Sequence, residues 1–146
     1  MALIIWHEYF TPIIGKDQVE YMLDKYQSKE SIAQQIKMGY DYYLLYENPS
    51  SIGYLGIKII EGEELFLSKF YILAEHRHKG FGKQTFNFLE QLALKKNLKK
   101  ISLTVNKYNA EAIIAYQHLG FANVGSIIQD IGNGFIMDDY KMEKIL

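Results

Sequence analysis

The spacing of hydrophobic residues along this 146-residue chain switches between a helical and a strand period several times, and the switches divide it into elements. Val19, Met22, Leu23 and Tyr26 recur at i, i+3, i+4 and i+7, so residues 17–38 read as helical. Ser28 starts a second helix carrying Ile32, Ile36 and Met38, and Gly39 stops it. The period then falls to two. Residues 42–46, 52–60 and 65–73 read as strands, with turns at 47–51 and 61–64. Connections this short cannot cross over, which predicts an antiparallel meander. Residues 81–96 return to a helical period: Phe86, Leu89 and Ala93 share one face, flanked by Phe81, Phe88 and Leu92. Residues 101–105 alternate cleanly as a strand. Asn109 caps a helix that carries Ala112, Ala115, Tyr116 and Leu119 and ends at Gly120. Residues 121–130 and 134–145 form a last hairpin about Gly132-Asn-Gly134. The expected order is ααβββαβαββ, an α/β plan with a mixed central sheet flanked by helices. No linker, repeat or low-complexity tract interrupts it, so residues 1–146 read as one domain.

Composition narrows the chemistry. Hydrophobic residues make up 49% of the chain, enough for a core, and charged residues 23%. The formal net charge of -1 and pI near 6.4 give no electrostatic case for nucleic acid or an anionic membrane. With no cysteine, disulfides, thiolate metal sites and cysteine nucleophiles are excluded. Met1-Ala-Leu-Ile-Ile-Trp6 is too short for a signal peptide, and no apolar run reaches the ~20 residues of a membrane span. A soluble cytoplasmic protein is the expectation.

One stretch carries ligand chemistry. An apolar strand runs through Tyr71, Ile72 and Leu73 into Arg77-His-Lys-Gly-Phe-Gly82, and a helix begins at once. The first N–H groups of a helix lack internal partners, and the helix dipole favours a negative ligand there. Gly80 and Gly82 let the backbone approach a phosphate closely, and Arg77, Lys79 and Lys83 add positive charge. The expected ligand is a phosphate or pyrophosphate. A P-loop would need glycine at 77, where Arg77 stands, and a dinucleotide fingerprint would need glycine at 85, where Thr85 stands. The strand before the loop also belongs to a meander rather than opening a βαβ unit.

Arg77-x-x-Gly80-x-Gly82 resembles the pyrophosphate loop of the GCN5-related N-acetyltransferases (GNAT family). Residues 101–121 resemble their second signature: a strand, an Asn-containing turn, and a helix ending in Tyr116-x-x-x-Gly120-Phe121. Within the family the chain looks most like bacterial polyamine-type and small-molecule acetyltransferases. The resemblance implies an acetyl-CoA-dependent N-acetyltransferase with acetyl-CoA as co-substrate and no metal. It implies that the pyrophosphate is held by Arg77, His78, Lys79, Gly80, Phe81, Gly82 and Lys83. Pantetheine would pair with Tyr71, Ile72 and Leu73 where two strands splay, and Asn106 and Asn109 would face the cofactor. Tyr116 would protonate the departing thiolate as general acid. The family pattern also begins with a β-strand, and here Leu3-Ile-Ile-Trp6 makes that strand very short or missing. An open sheet edge would leave room for a partner chain, hence a homodimer.

The general base stays open. Some relatives place a glutamate on the strand before the loop, but Ser68 and Lys69 stand mid-strand here and no carboxylate lies between Leu65 and Leu73. A water relay, Glu8 or the last hairpin remain as sources. Trp6, Tyr9, Phe10, Tyr40, Tyr42 and Tyr43, with Asp130, Asp138 and Asp139, would suit a cationic amine. The expected reaction moves an acetyl group to a primary amine of a polyamine-like or amino-acid-like molecule. The alternatives are a non-catalytic acyl-CoA sensor and an acetyltransferase acting on a protein N-terminus or lysine side chain.

Overall fold

A computed structural model describes residues Met1–Leu146. Four helices come first: α1 (Ala2–Tyr9), α2 (Thr11–Ile14), α3 (Lys16–Gln27) and α4 (Lys29–Lys37). Strands β1 (Tyr40–Glu47), β2 (Ser50–Ile60) and β3 (Glu64–Ile72) follow, then α5 (Phe81–Lys95), β4 (Lys100–Asn106) and α6 (Ala110–His118). The chain closes with β5 (Ala122–Gly132) and β6 (Phe135–Ile145). The strands form one mixed sheet in the order β1-β2-β3-β4-β6-β5, the α/β plan expected from the pattern. The first strand of the family pattern is missing, because residues 3–6 belong to α1. Leu3 and Ile4 are exposed while Ile5 and Trp6 are buried, a helical step rather than alternation. The sheet therefore ends at β1.

Two compact units emerge, Met1–Lys58 with Lys69–Lys79, and Ile59–Ser68 with Gly80–Leu146. In the first, the Ser28 hydroxyl accepts the Ser31 N–H and caps α4. Strands β1 and β2 pair antiparallel from Tyr40↔Lys58 to Glu47↔Ser50. Ile5, Trp6, Val19, Met22, Ile52, Leu55 and Ile57 supply its buried apolar core. Gly53 has a specific steric reason. A Cβ there would lie 2.3 Å from the Tyr71 carbonyl oxygen and 3.2 Å from Ile72 Cα, so β2 runs against the β3 backbone with no room for a side chain. Gly53→Ala is expected to cost about 1–3 kcal/mol through overpacking. Calorimetry should register a lowered thermal midpoint, and an unchanged midpoint would mean that the β3 backbone yields freely.

In the second unit, β3 and β4 pair in parallel from Glu64↔Lys100 to Leu67↔Leu103, where that ladder ends. Strand β4 stays paired with β6 as far as Asn106↔Asp139. Helix α5 buries Phe86, Leu89 and Ala93, and the strands bury Leu65, Leu67, Ile101, Leu103, Val105 and Met142. The intervening strand positions carry ion pairs, Lys100–Glu143 at 2.6 Å and Lys141–Glu64 at 3.4 Å. A hollow of about 180 Å³ lined by Ile60, Glu64, Phe66, Ser102, Thr104, Ile127 and Lys141 contains none of the residues named for the acetyl donor. No helix is long and apolar enough to cross a membrane.

Candidate active site

In the first unit, the residues expected on the donor side are the end of β3 and the loop after it. The Leu73 N–H donates to the Ile52 carbonyl at 2.8 Å, which ties the strand end to β2. Arg77 folds back: its Nε donates to the Ile72 carbonyl at 2.9 Å, and its guanidinium lies 4.9 Å from the centroid of the Tyr9 ring. Arg77 thus shapes the loop as well as charging it. His76 faces Glu47 at 3.1 Å. His78 adopts φ +61°, a left-handed conformation unusual for a residue with a Cβ, and Lys79 is exposed.

Gly80 continues this turn in the second unit with φ +85° and ψ 2°, left-handed geometry that glycine adopts without strain. It is the N-cap of α5 and offers no side chain, so the helix start lacks a side-chain cap. The helix makes its first bond from the Gln84 N–H to the Gly80 carbonyl, at 3.2 Å. The N–H groups of Phe81, Gly82 and Lys83 precede that bond and belong to the turn that has no internal acceptors. A Cβ placed on Gly80 or Gly82 would meet nothing within 4 Å. A helix start whose first N–H groups lack internal acceptors, beside glycines with open Cβ positions, fits an anionic pyrophosphate in charge. Thr85, expected to stand in place of a fingerprint glycine, is buried, and its hydroxyl donates to the Phe81 carbonyl at 2.7 Å.

Asn106 and Asn109 bracket the turn between β4 and α6. Asn106 Oδ1 accepts the Tyr108 N–H at 2.9 Å, and the Asn109 N–H donates to the Asn106 carbonyl at 3.0 Å. Asn109 is buried and caps α6 through Oδ1, accepting the Ala112 N–H at 3.3 Å. One lone pair on each side-chain oxygen is thus spent on the local backbone. Tyr116 is half-buried on α6, its ring 5.9 Å from both Phe86 and Phe121 in edge contacts. The trio fixes the phenol ring by packing.

Of the aromatics expected on the acceptor side, Trp6 has a different local role. Trp6 is buried against Phe10 at 4.5 Å and Tyr71 at 5.6 Å, so it is core. Asp138 pairs with Lys107 at 2.6 Å, and Asp130 Oδ1 accepts the Gly132 N–H at 2.8 Å. Asp139 is 6% exposed, and its carboxyl is pushed up to about 6 by burial and then by the neighbouring Asp138 charge. No group of three or more metal-ligating side chains gathers in the structure.

Lys69 was not singled out from the sequence. It is 5% exposed, and its ammonium donates to the Tyr26 carbonyl at 2.8 Å, Gln35 Oε1 at 2.5 Å and the Tyr42 hydroxyl at 2.5 Å. Tyr42 in turn donates to Gln35. The signal was available, since residue 69 continues the buried row of Leu65 and Leu67. Burial pulls this amine down to about 8, against ~10.4 for an unfolded lysine. Between those two values the unfolded chain holds more protons than the folded one, so stability rises with pH across that window. The expected gain is on the order of 1–2 kcal/mol after solvent screening, and it should disappear in Lys69→Met. Urea midpoints taken on either side of the window check it; an identical rise in the variant would assign the effect to another group.

The chain is similar to known proteins over most of its length. Residues 4–121 match the acetyltransferase (GNAT) family. The fold is similar to that of the PaiA N-acetyltransferase of Thermoplasma acidophilum, a structure in complex with coenzyme A: TM-score 0.79, 23% identity, covering 99% of this chain and 88% of that one. It is also similar to a GCN5-related N-acetyltransferase of Rhodopseudomonas palustris, with TM-score 0.77 and 16% identity over 99% of this chain and 87% of the other. A GNAT acetyltransferase of Elizabethkingia anophelis with acetyl-CoA bound matches at TM-score 0.69 and 19% identity, over 86% and 88% of the two chains. The match over most of the chain shows that this protein belongs to the acetyltransferase (GNAT) family and is an acetyl-CoA-dependent acetyltransferase.

Proposed function

We propose that this acetyltransferase acetylates the primary amine of a small polyamine-like or amino-acid-like molecule. The observation that carries the donor half of this reading is the bare start of α5, where Gly80 and Gly82 leave open space before the first N–H groups. Acetyl-CoA supplies a thioester, an acyl group already activated toward amines. The N–H groups at Phe81 to Lys83 hold its pyrophosphate, with Lys79 and Lys83 screening the charge. The main chain from Tyr71 to Leu73 aligns the pantetheine arm. Tyr116 gives its phenolic proton to the departing sulfur, whose thiol pKa of roughly 8.5 makes protonation favourable near neutrality. The carboxyl of Asp139 on β6 suits a small cationic acceptor better than a neutral or anionic one. A homodimer belongs to the same reading, since the sheet ends at β1 with no first strand beyond it.

The test is an acceptor panel. Polyamines, free amino acids and short peptides are each incubated with acetyl-CoA, and acetylated products are read by mass spectrometry. Acetylation of polyamines or amino acids is expected. Acetylation of peptides alone would move the function to protein N-acetylation.

A further inference from the structure

We propose that Asp139 is the proton acceptor for the incoming amine, the base that strand β3 lacks. The inference rests on the amine-acetyltransferase reading above. Strand β3 offers no carboxylate between Leu65 and Ile72. Asp139 instead lies on β6 directly opposite Asn106, the last residue of β4. The parallel β3–β4 ladder ends at Leu103, so Asn106 and Asp139 stand beyond its carboxyl-terminal end. Ligands of open α/β sheets bind outside the carboxyl ends of parallel strands. The same turn that follows Asn106 leads into α6 and Tyr116. A carboxyl at this place stands opposite the strand end from which the turn to α6 departs, and it is nearly sealed from water, at 6% exposure.

The groups around it are few. Asp138 adjoins it on β6 and raises its proton affinity; Lys107, from the turn after β4, opposes that and pairs with Asp138. On the β5 side its direct partner is Ile127, which is apolar. Burial leads these causes and pushes the carboxyl up to about 6. It is therefore ionised at neutral pH yet basic enough to take a proton. In the step, an N–H bond of the substrate ammonium breaks and its proton moves to an Asp139 oxygen. The freed nitrogen lone pair forms a C–N bond to the thioester carbonyl carbon, the C–S bond breaks, and the sulfur takes the Tyr116 proton. The acylated nitrogen then gives up its second N–H proton, which restores the Tyr116 hydroxyl through water, and Asp139 releases the first proton to water.

The test uses the amine that turns over fastest in the panel. Asp139→Asn keeps the shape and is expected to lower kcat/KM by about a hundredfold or more. It should erase the acid limb near pH 6 while leaving acetyl-CoA affinity and the thermal midpoint unchanged. Asp139→Glu, which keeps a carboxylate, should retain an acid limb and partial activity. Asp138→Asn should move the limb to lower pH, because the like charge is gone and Lys107 is released. Full activity and an intact limb in Asp139→Asn would overturn the proposal while leaving the acetyltransferase reading in place. Activity lost in both Asp139→Asn and Asp139→Glu together with a lowered thermal midpoint would make the residue structural and overturn it too. Absence of turnover with every amine for the unaltered protein would overturn the functional reading, and this proposal with it.

Discussion

Gly82→Trp is expected to weaken acetyl-CoA binding by at least about a hundredfold, roughly 2.7 kcal/mol, without unfolding the protein. Two features of the position separate binding from folding. Gly82 sits in the first turn of α5 with ordinary helical geometry, so a side chain there brings no backbone strain. A Cβ would also meet nothing within 4 Å, so the substitution does not overpack the unit. The indole would instead occupy the space in front of the N–H groups that receive the pyrophosphate. Helix propensity even favours the change, since glycine is the poorest helix former after proline. Titration calorimetry with acetyl-CoA measures the loss, and a thermal melt verifies the fold. Gly80 would be a poorer probe: at φ +85° any side chain costs backbone strain of roughly 1–2 kcal/mol and mixes the two effects.

Tyr116→Phe should cut kcat by about a hundredfold, while acetyl-CoA affinity stays within about twofold. The phenylalanine ring can keep both edge contacts, with Phe86 and Phe121, so the trio and α6 remain packed. Only the hydroxyl is removed, and with it the proton that the thiolate would take. Steady-state rates at saturating donor, compared with equilibrium binding, separate the roles. An unchanged kcat would remove Tyr116 from the mechanism.

The two strongest signals in the sequence were local ones. The strand-to-loop-to-helix passage about Arg77-x-x-Gly80-x-Gly82 needs only neighbouring residues to define it, and the helix starts at Phe81 as its pattern requires. The Asn109 cap and the Ser28 cap are legible for the same reason, since a cap is an interaction over three residues. What stayed hidden depends on pairing between distant segments. Gly53 reads as a strand breaker, and its purpose appears only when β2 lies against Tyr71 and Ile72. Residues 3–6 are all apolar, so neither period stands out, and the helix is decided by burying Ile5 and Trp6. Lys69 follows the buried alternation of its strand, but a lysine ordinarily argues for solvent, and its partners lie 27 to 43 residues away. Asp139 reads as one of several aspartates in a hairpin. Its pairing with Asn106 comes from the β4–β6 ladder, which joins strands separated in the chain by α6 and β5, and no local periodicity reveals it.

The most direct test is the release of free CoA thiol from acetyl-CoA, followed with a thiol reagent in the presence and absence of an amine. The chain has no cysteine of its own, so every thiol detected comes from CoA. Amine-dependent release that saturates with acetyl-CoA, and that is lost in Gly82→Trp, is the expected result. Release that is the same with and without any amine, or undimmed in Gly82→Trp, would contradict an amine acetyltransferase that grips its donor at the start of α5.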